Sequence, residues 1–246
     1  MSKLSWSGSW LPVLHRLPPG DSPERREIAL TFDDGPGTAT PDLLHILARA
    51  DAQATFFLTG QRIAERPDLV RAILSGGHAI YSHGFLHEHL ERTDAAAVQQ
   101  ALSETEALLS KFRPTPEPYL IRLPYASGRR QAWMHRAIQA WSPTAQIAHW
   151  TYALNDHDIA PACRNEADVE RLCWDATQTL ATRPHLDGSI LLMHDDPYDR
   201  NSPFLTAVAT TLAEMVVRLL TSQRYRLVAL RPLPAPSLVS RFMLES

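Results

Sequence analysis

The chain predicts an α/β barrel, closed or nearly closed, of about seven parallel strands. Three observations carry that expectation. Apolar strand-like runs alternate with helix-like runs from residue 27 onward. The length, 246 residues, suits one barrel domain, or else two small domains. The titratable residues gather just after the strand-like runs, on the face where such barrels build their sites. An open doubly wound sheet would satisfy the first observation equally well, since periodicity does not separate the two.

The strands are expected at Glu27–Phe32, Ala54–Leu58, His78–Ser82, Tyr119–Leu123, Ala145–Tyr152, Ser189–His194 and Tyr225–Leu230. Several are rich in β-branched or aromatic residues and end at Gly, Pro or Asp. Thr40-Pro41 and Ser202-Pro203 each place a capping side chain before a proline suited to the first helical turn. Val98, Ala101, Leu102, Thr105, Leu108, Leu109 and Phe112 recur at the helical period, predicting an amphipathic helix opened by Thr93. Leu205, Val208, Leu212, Met215, Val216 and Leu219 predict the last helix in the same way. Pro12, Pro18, Pro19 and Pro23, with Pro232, Pro234 and Pro236, read as straps at about 1–26 and 231–246 around a single domain of residues 1–246.

Composition excludes several classes. Lys and Arg total 24 against 27 Asp and Glu, a net charge of −3, so a nucleic-acid partner has no basic footprint to use. Cys163 and Cys173 cannot staple a chain this long; they could pair with each other, but unpaired, buried thiols are the expectation. The apolar run Trp10–Leu14 is broken by Pro12 and is too short for a signal peptide. No run of about 18 uninterrupted apolar residues follows, so no membrane span is expected and a cytoplasmic location is. Nothing in the sequence indicates an oligomeric state.

The strand ends carry the chemistry. Asp33 and Asp34 follow the first strand, His83 and His87 the third, and Arg122 and Tyr125 the fourth. Asp156 and Asp158 follow the fifth, and His194 ends the sixth. Each signal has a plainer reading beside it. Thr31 to Pro36 also describes a strand ending in a polar turn. His83 and His87 have the four-residue spacing of joint metal ligands, yet with His78 and His89 nearby they also describe a polar loop. Together, carboxylates and imidazoles on one rim suggest a cation site with acid–base partners, because a cation relieves the repulsion between adjacent carboxylates.

These residues resemble the polysaccharide deacetylases of the NodB-homology type, carbohydrate esterase family four. Thr31-Phe32-Asp33-Asp34-Gly35-Pro36 reproduces the first motif of that family, and Ser82-His83-Gly84-Phe85-Leu86-His87 supplies the two histidines of the second. Arg122-Leu123-Pro124-Tyr125 is similar to the third, and Leu192-Met193-His194 to the fifth. The resemblance implies a distorted barrel and one divalent ion, zinc before cobalt, nickel or manganese, on Asp34, His83 and His87. It implies Asp33 as catalytic base, His194 as general acid, Arg122 as the residue that orients Asp33, and the Tyr125 backbone N–H as an oxyanion donor.

The fourth motif, two aspartates three apart followed by tryptophan, is degraded. Counted from Trp150, Asp156 and His157 stand for the second aspartate and the tryptophan, with Ala153 for the first aspartate. Counted from Asn155, Asp158 and Ile159 take those places. The first register is preferred, making Asp156 the carboxylate that orients His194; either way no aromatic wall is expected there. The implied activity is metal-dependent removal of N-acetyl groups from an N-acetylated sugar, oligosaccharide or glycoconjugate. A deformylase, an O-acetyl esterase or another small-amide hydrolase fits the same residues, whereas a non-catalytic carbohydrate-binding relative is disfavoured because Asp33, Asp34, His83, His87 and His194 are all present.

Overall fold

Burial on both faces decides which runs become strands. In the computed structural model, which describes residues 10–18, 26–198 and 201–234, Glu27–Asp33 (β2) is buried at every position. That is the signature of a central strand in a parallel sheet covered by helices on one side and filled on the other. Around it lie Thr55–Leu58 (β3), Ala79–Ser82 (β4), Leu120–Ile121 (β5), Ile190–His194 (β8) and Arg226–Val228 (β9), all near their expected positions. Val13–Leu14 (β1), Gln146–Ala148 (β6) and Tyr152–Ala153 (β7) bring the described strands to nine.

The sheet runs β1-β6-β5-β4-β3-β2-β8-β7, with β9 beside the start of β2, and every pairing is parallel. The expected strand Ala145–Tyr152 is two strands. β6 pairs with β5 and β1, and β7 pairs with β8 on the far side. The break falls where the buried Arg122 guanidinium takes the carbonyls of Ala148 and His149, at 3.1 and 3.0 Å, removing them from any straight ladder. Residues 149–151 therefore carry the chain across the gap and curl the sheet into a distorted barrel.

The segment before β2 lies across the same gap. Ile147 N–H donates to Pro12 and His149 N–H to Leu14, both at 2.8 Å, while Leu17 N–H reaches the Gly188 carbonyl at 2.8 Å. At the other end, Gln146 exchanges two hydrogen bonds of 2.8 Å with the Leu233 backbone. Pro19, Pro23 and Pro236 of the expected straps, and Arg25, lie outside the described residues.

The described helices are Thr40–Arg49 (α1), Gly60–Glu65 (α2), Pro67–Ser75 (α3), Ala95–Leu109 (α4), Ala132–Trp141 (α5), Asp156–Ala162 (α6), Glu166–Ala181 (α7) and Leu205–Ser222 (α8). Three expected helix starts are corrected. Asp94, one residue past Thr93, caps α4 by accepting from Ala97 N–H at 2.9 Å, and Thr93 turns back to the Leu90 carbonyl. Thr40 lies inside α1, and its hydroxyl joins the buried Asp195 carboxylate instead of capping. Ser202 donates to the Ala160 carbonyl at 2.7 Å, and α8 begins three residues later. α8 is long and apolar enough to cross a membrane by length and composition. Its apolar face, Val208, Leu212, Val216 and Leu220, is buried in the core with α1 and α7. Cys163 and Cys173 are unpaired and buried.

Alternation along the strands positions the site. Ile28, Leu30 and Phe32 of β2 pack outward in the core shared with α1, α7 and α8. Ala29, Thr31 and Asp33 therefore face inward, in register with Ile190, Leu192 and His194 of β8. The last pair in that register is Asp33 opposite His194, so two titratable groups end adjacent strands on the inner face.

Candidate active site

Asp33 is held by one strong partner. Arg122 Nη1 donates to Asp33 Oδ1 at 2.8 Å and to Thr31 Oγ1 at 2.7 Å, with both charged side chains almost fully buried. The guanidinium also lies 4.2 Å over the Phe57 ring. Burial lowers the Arg122 pKa and the Asp33 charge opposes that shift. The second oxygen, Asp33 Oδ2, is 4.0 Å from His83 Nε2.

Asp34 faces differently. Its backbone is in the left-handed region, φ 73°, which turns the side chain away from that of its neighbour. Asp34 Oδ1 lies 3.3 Å from His83 Nε2 and 3.2 Å from His87 Nε2, yet is a buried oxygen that receives no hydrogen bond. His83 Nδ1 is spoken for by the Arg122 carbonyl at 2.8 Å, which leaves Nε2 with its lone pair toward Asp34. One carboxylate oxygen and two imidazole nitrogens facing one another is the donor set for a divalent cation, and the three residues fit one. Burial would raise the Asp34 pKa, but His83, His87 and His194 together hold it well below the usual carboxylate range.

His194 is fixed from its Nδ1 side. Asp156 Oδ1 accepts from Nδ1 at 2.8 Å, and Asp156 Oδ2 accepts the His194 backbone N–H. Burial alone would lower the imidazole pKa, but the Asp156 charge and hydrogen bond, with Asp34 and Asp33 behind, raise it to about 9. Asp158 is exposed and sits by His157 at 3.5 Å, so of the two registers only Asp156 reaches His194. His157 packs edge-on to His194 at 4.9 Å.

Tyr125 sits in a tight turn, Pro124–Ala126, with φ 56°. Its exposed ring stacks on His89 at 3.7 Å and tilts against His87 at 4.7 Å. Asp33, Asp34, His83, His87, Tyr125 and His194 all line one cleft of about 350 Å³, while Arg122 and Asp156 lie behind it.

Three residues at this cleft, two lining it and one behind, were not expected from sequence. Tyr198 stacks parallel to His87 at 5.1 Å, and its backbone N–H reaches Asp34 Oδ2 at 3.3 Å. Arg62 backs that ring at 3.9 Å and donates to the Asp34 carbonyl at 2.7 Å. Trp150 supplies an aromatic wall just before the stretch where none was expected. Tyr198 follows Asp195-Asp196-Pro197, so an aromatic residue directly past a polar strand end was the available signal. Arg62 sits in a short helix with no such mark.

A parallel barrel whose strand ends bring a candidate cation-binding triad together with a carboxylate and an imidazole in one cleft is the layout of a hydrolase that adds water to an amide or ester. The particular class follows from comparison. Residues 20–141 match the polysaccharide deacetylase family model. A peptidoglycan-N-acetylglucosamine deacetylase of Bacillus cereus is 30% identical over 178 residues, covering 70% of this chain and 60% of that protein. The chain thus spans less than two thirds of that relative's length. A chitooligosaccharide deacetylase of Bradyrhizobium is 30% identical over 177 residues, 72% of this chain and 74% of that protein. Among solved structures, a chitin deacetylase from Colletotrichum lindemuthianum superposes with a TM-score of 0.70 at 23% identity, over 88% of both chains. A polysaccharide deacetylase from Bacillus cereus gives 0.67 at 26% identity, over 84% of this chain and 93% of that one. The chain belongs to the polysaccharide deacetylase family.

Proposed function

We propose that this protein is a metal-dependent deacetylase that removes the N-acetyl group from N-acetylglucosamine units of an oligosaccharide or glycoconjugate. The observation that carries the reading is the placement of Asp33 and His194 side by side at the ends of adjacent strands, in one cleft with the Asp34–His83–His87 donor set. The kinds of substrate named for the relatives, peptidoglycan and chitooligosaccharide, support the sugar.

Asp34, His83 and His87 would hold a divalent ion, and their two-nitrogen, one-oxygen set suits zinc. When bound, such an ion polarises the acetamide carbonyl and lowers the pKa of a water. Asp33 takes the proton from the attacking water through Oδ2, because Oδ1 is committed to Arg122. The water oxygen bonds to the acetamide carbon, and the Tyr125 backbone N–H donates to the oxyanion that develops there. His194 then protonates the sugar nitrogen from Nε2, since Nδ1 is held by Asp156, and the C–N bond breaks. The products are acetate and a free amino sugar.

The test is acetate release from N-acetylglucosamine oligomers, peptidoglycan fragments and small acetamides. Release from the sugars and not from simple acetamides is expected, and its loss on chelation with recovery on adding zinc supports the metal. Turnover of formamides or acetate esters in preference to every N-acetyl sugar would overturn it.

A further inference from the structure

The chain that leaves β8 at His194 fastens the candidate metal ligands from outside. Its half-buried Tyr198 meets four partners near the start of α2. The Tyr198 hydroxyl is 2.8 Å from Thr59 Oγ1. The ring lies 3.9 Å from the Arg62 guanidinium and parallel to His87, with 4° between the planes and 5.1 Å between the centroids. The backbone N–H reaches Asp34 Oδ2 at 3.3 Å. One residue thus touches both a carboxylate and an imidazole of the donor set.

Each contact removes a freedom that matters to a bound ion. A free carboxylate can rotate and offer either oxygen. With Oδ2 taken by the Tyr198 N–H, Asp34 Oδ1 stays toward His83 and His87. A free imidazole can tilt out of line, and the flat Tyr198 ring, with the tilted Tyr125 ring at 4.7 Å, limits the His87 plane. Arg62 holds the backbone end. Its Nη1 donates to the Asp34 carbonyl at 2.7 Å and also to the Asp196 carbonyl, tying the end of β2 to the chain after β8. Asp34 is at φ 73°, which a residue other than glycine keeps only where its surroundings hold it. A segment merely packed on α2 would need the Thr59 and Arg62 contacts alone. The N–H on Asp34 and the ring on His87 fall on the ligand groups themselves.

We infer that Tyr198 and Arg62 are positioning residues for the metal, holding Asp34 Oδ1 and the His87 ring ready to bind. The inference rests on the metal-binding reading of Asp34, His83 and His87, and it gives neither residue a part in the chemistry. Partners that touch the ligands and not the ion are typically worth about 10- to 100-fold in metal affinity.

The test titrates zinc out of the zinc-loaded full chain with a chromophoric chelator. Tyr198→Leu keeps apolar bulk but loses the flat ring, and it should weaken zinc binding by about tenfold or more. Tyr198→Phe keeps the ring on His87 and should stay within about threefold of wild type. Arg62→Met, which frees the Asp34 carbonyl, should also cost about tenfold. Cobalt in place of zinc reads ligand geometry directly. Its visible bands should shift in Tyr198→Leu and match wild type in Tyr198→Phe. Thermal melts restrict each comparison to folded protein, and if either Tyr198→Leu or Arg62→Met does not fold, the other decides. Wild-type zinc affinity and cobalt bands in a folded variant of this pair overturn the inference. So does an equal loss in Tyr198→Leu and Tyr198→Phe, which traces the effect to the hydroxyl on Thr59. A wild-type chain that retains no zinc at all defeats the metal reading, and the positioning role falls with it.

Discussion

Asp33 and Asp34 are chain neighbours with opposite surroundings. Asp33 is paired with a guanidinium, and Asp34 faces two imidazole nitrogens. Asp33→Asn should therefore abolish acetate release while metal content by atomic emission stays near one ion per chain. Asp34→Asn should lose the ion itself; equal metal loss in the two variants would erase the distinction. The next contrast is Asp156 against Asp158. Removing Asp156 frees His194 to take an unproductive angle or tautomer and removes the charge that lifts its pKa to about 9. A raised pKa keeps the imidazole protonated to higher pH, so Asp156→Asn should move the alkaline limb of the kcat profile downward and cost about tenfold in kcat. Asp158→Asn, at an exposed position, should change neither. At this scale the sequence was largely legible, because motif spacing fixes which residues end adjacent strands. Tyr198 and Arg62 were not, because their contacts depend on how the loop after β8 folds over α2, and no local pattern encodes that.

Elements were legible wherever burial follows a simple pattern, continuous along β2 and helical in period in α4 and α8. They were misread where a polar side chain takes a partner from another part of the chain. Thr40 is drawn to Asp195, Ser202 to Ala160, and the strand at 145–152 is split by Arg122. His78 is a further case, and it makes one element pair sensitive to pH. It stands before β4, and its Nδ1 accepts the Ala54 N–H at 3.2 Å, which ties it to the start of β3. Burial lowers its pKa to about 4. Below its usual pKa of about 6.5 the unfolded chain binds a proton that the folded form resists. The stability belonging to neutral His78 is thus fully present above about pH 6.5 and is lost as pH falls toward about 4. Urea unfolding at pH 7.5 and pH 5 should show a larger loss in the wild type than in His78→Asn. A variant with the same loss would locate the pH dependence elsewhere.

The whole molecule converges on Arg122. It follows β5, reaches Thr31 and Asp33 on β2, and holds the carbonyls of Ala148 and His149 where the chain leaves β6 to cross toward β8. The curl of the barrel, the direction of Asp33 and the path that delivers Trp150 to the cleft and Asp156 behind it thus share one buried cation. Such a cation is costly to desolvate, so its net contribution depends on every partner being present. Arg122→Met keeps much of the volume but leaves the Asp33 carboxylate buried beside an apolar chain and frees two carbonyls. Breaking a buried pair from one side costs about 3–5 kcal/mol, and that is the expected loss in urea unfolding. Adding Asp33→Asn removes the stranded charge, so the double variant should recover part of that stability although it carries one more substitution. The carbonyls of Ala148 and His149 remain unpaired in both variants, and recovery should therefore be incomplete. If the double variant is instead less stable than Arg122→Met by the full cost of Asp33→Asn alone, the two side chains are energetically independent. Arg122 would then hold the β6–β7 crossing and have no part in placing the base.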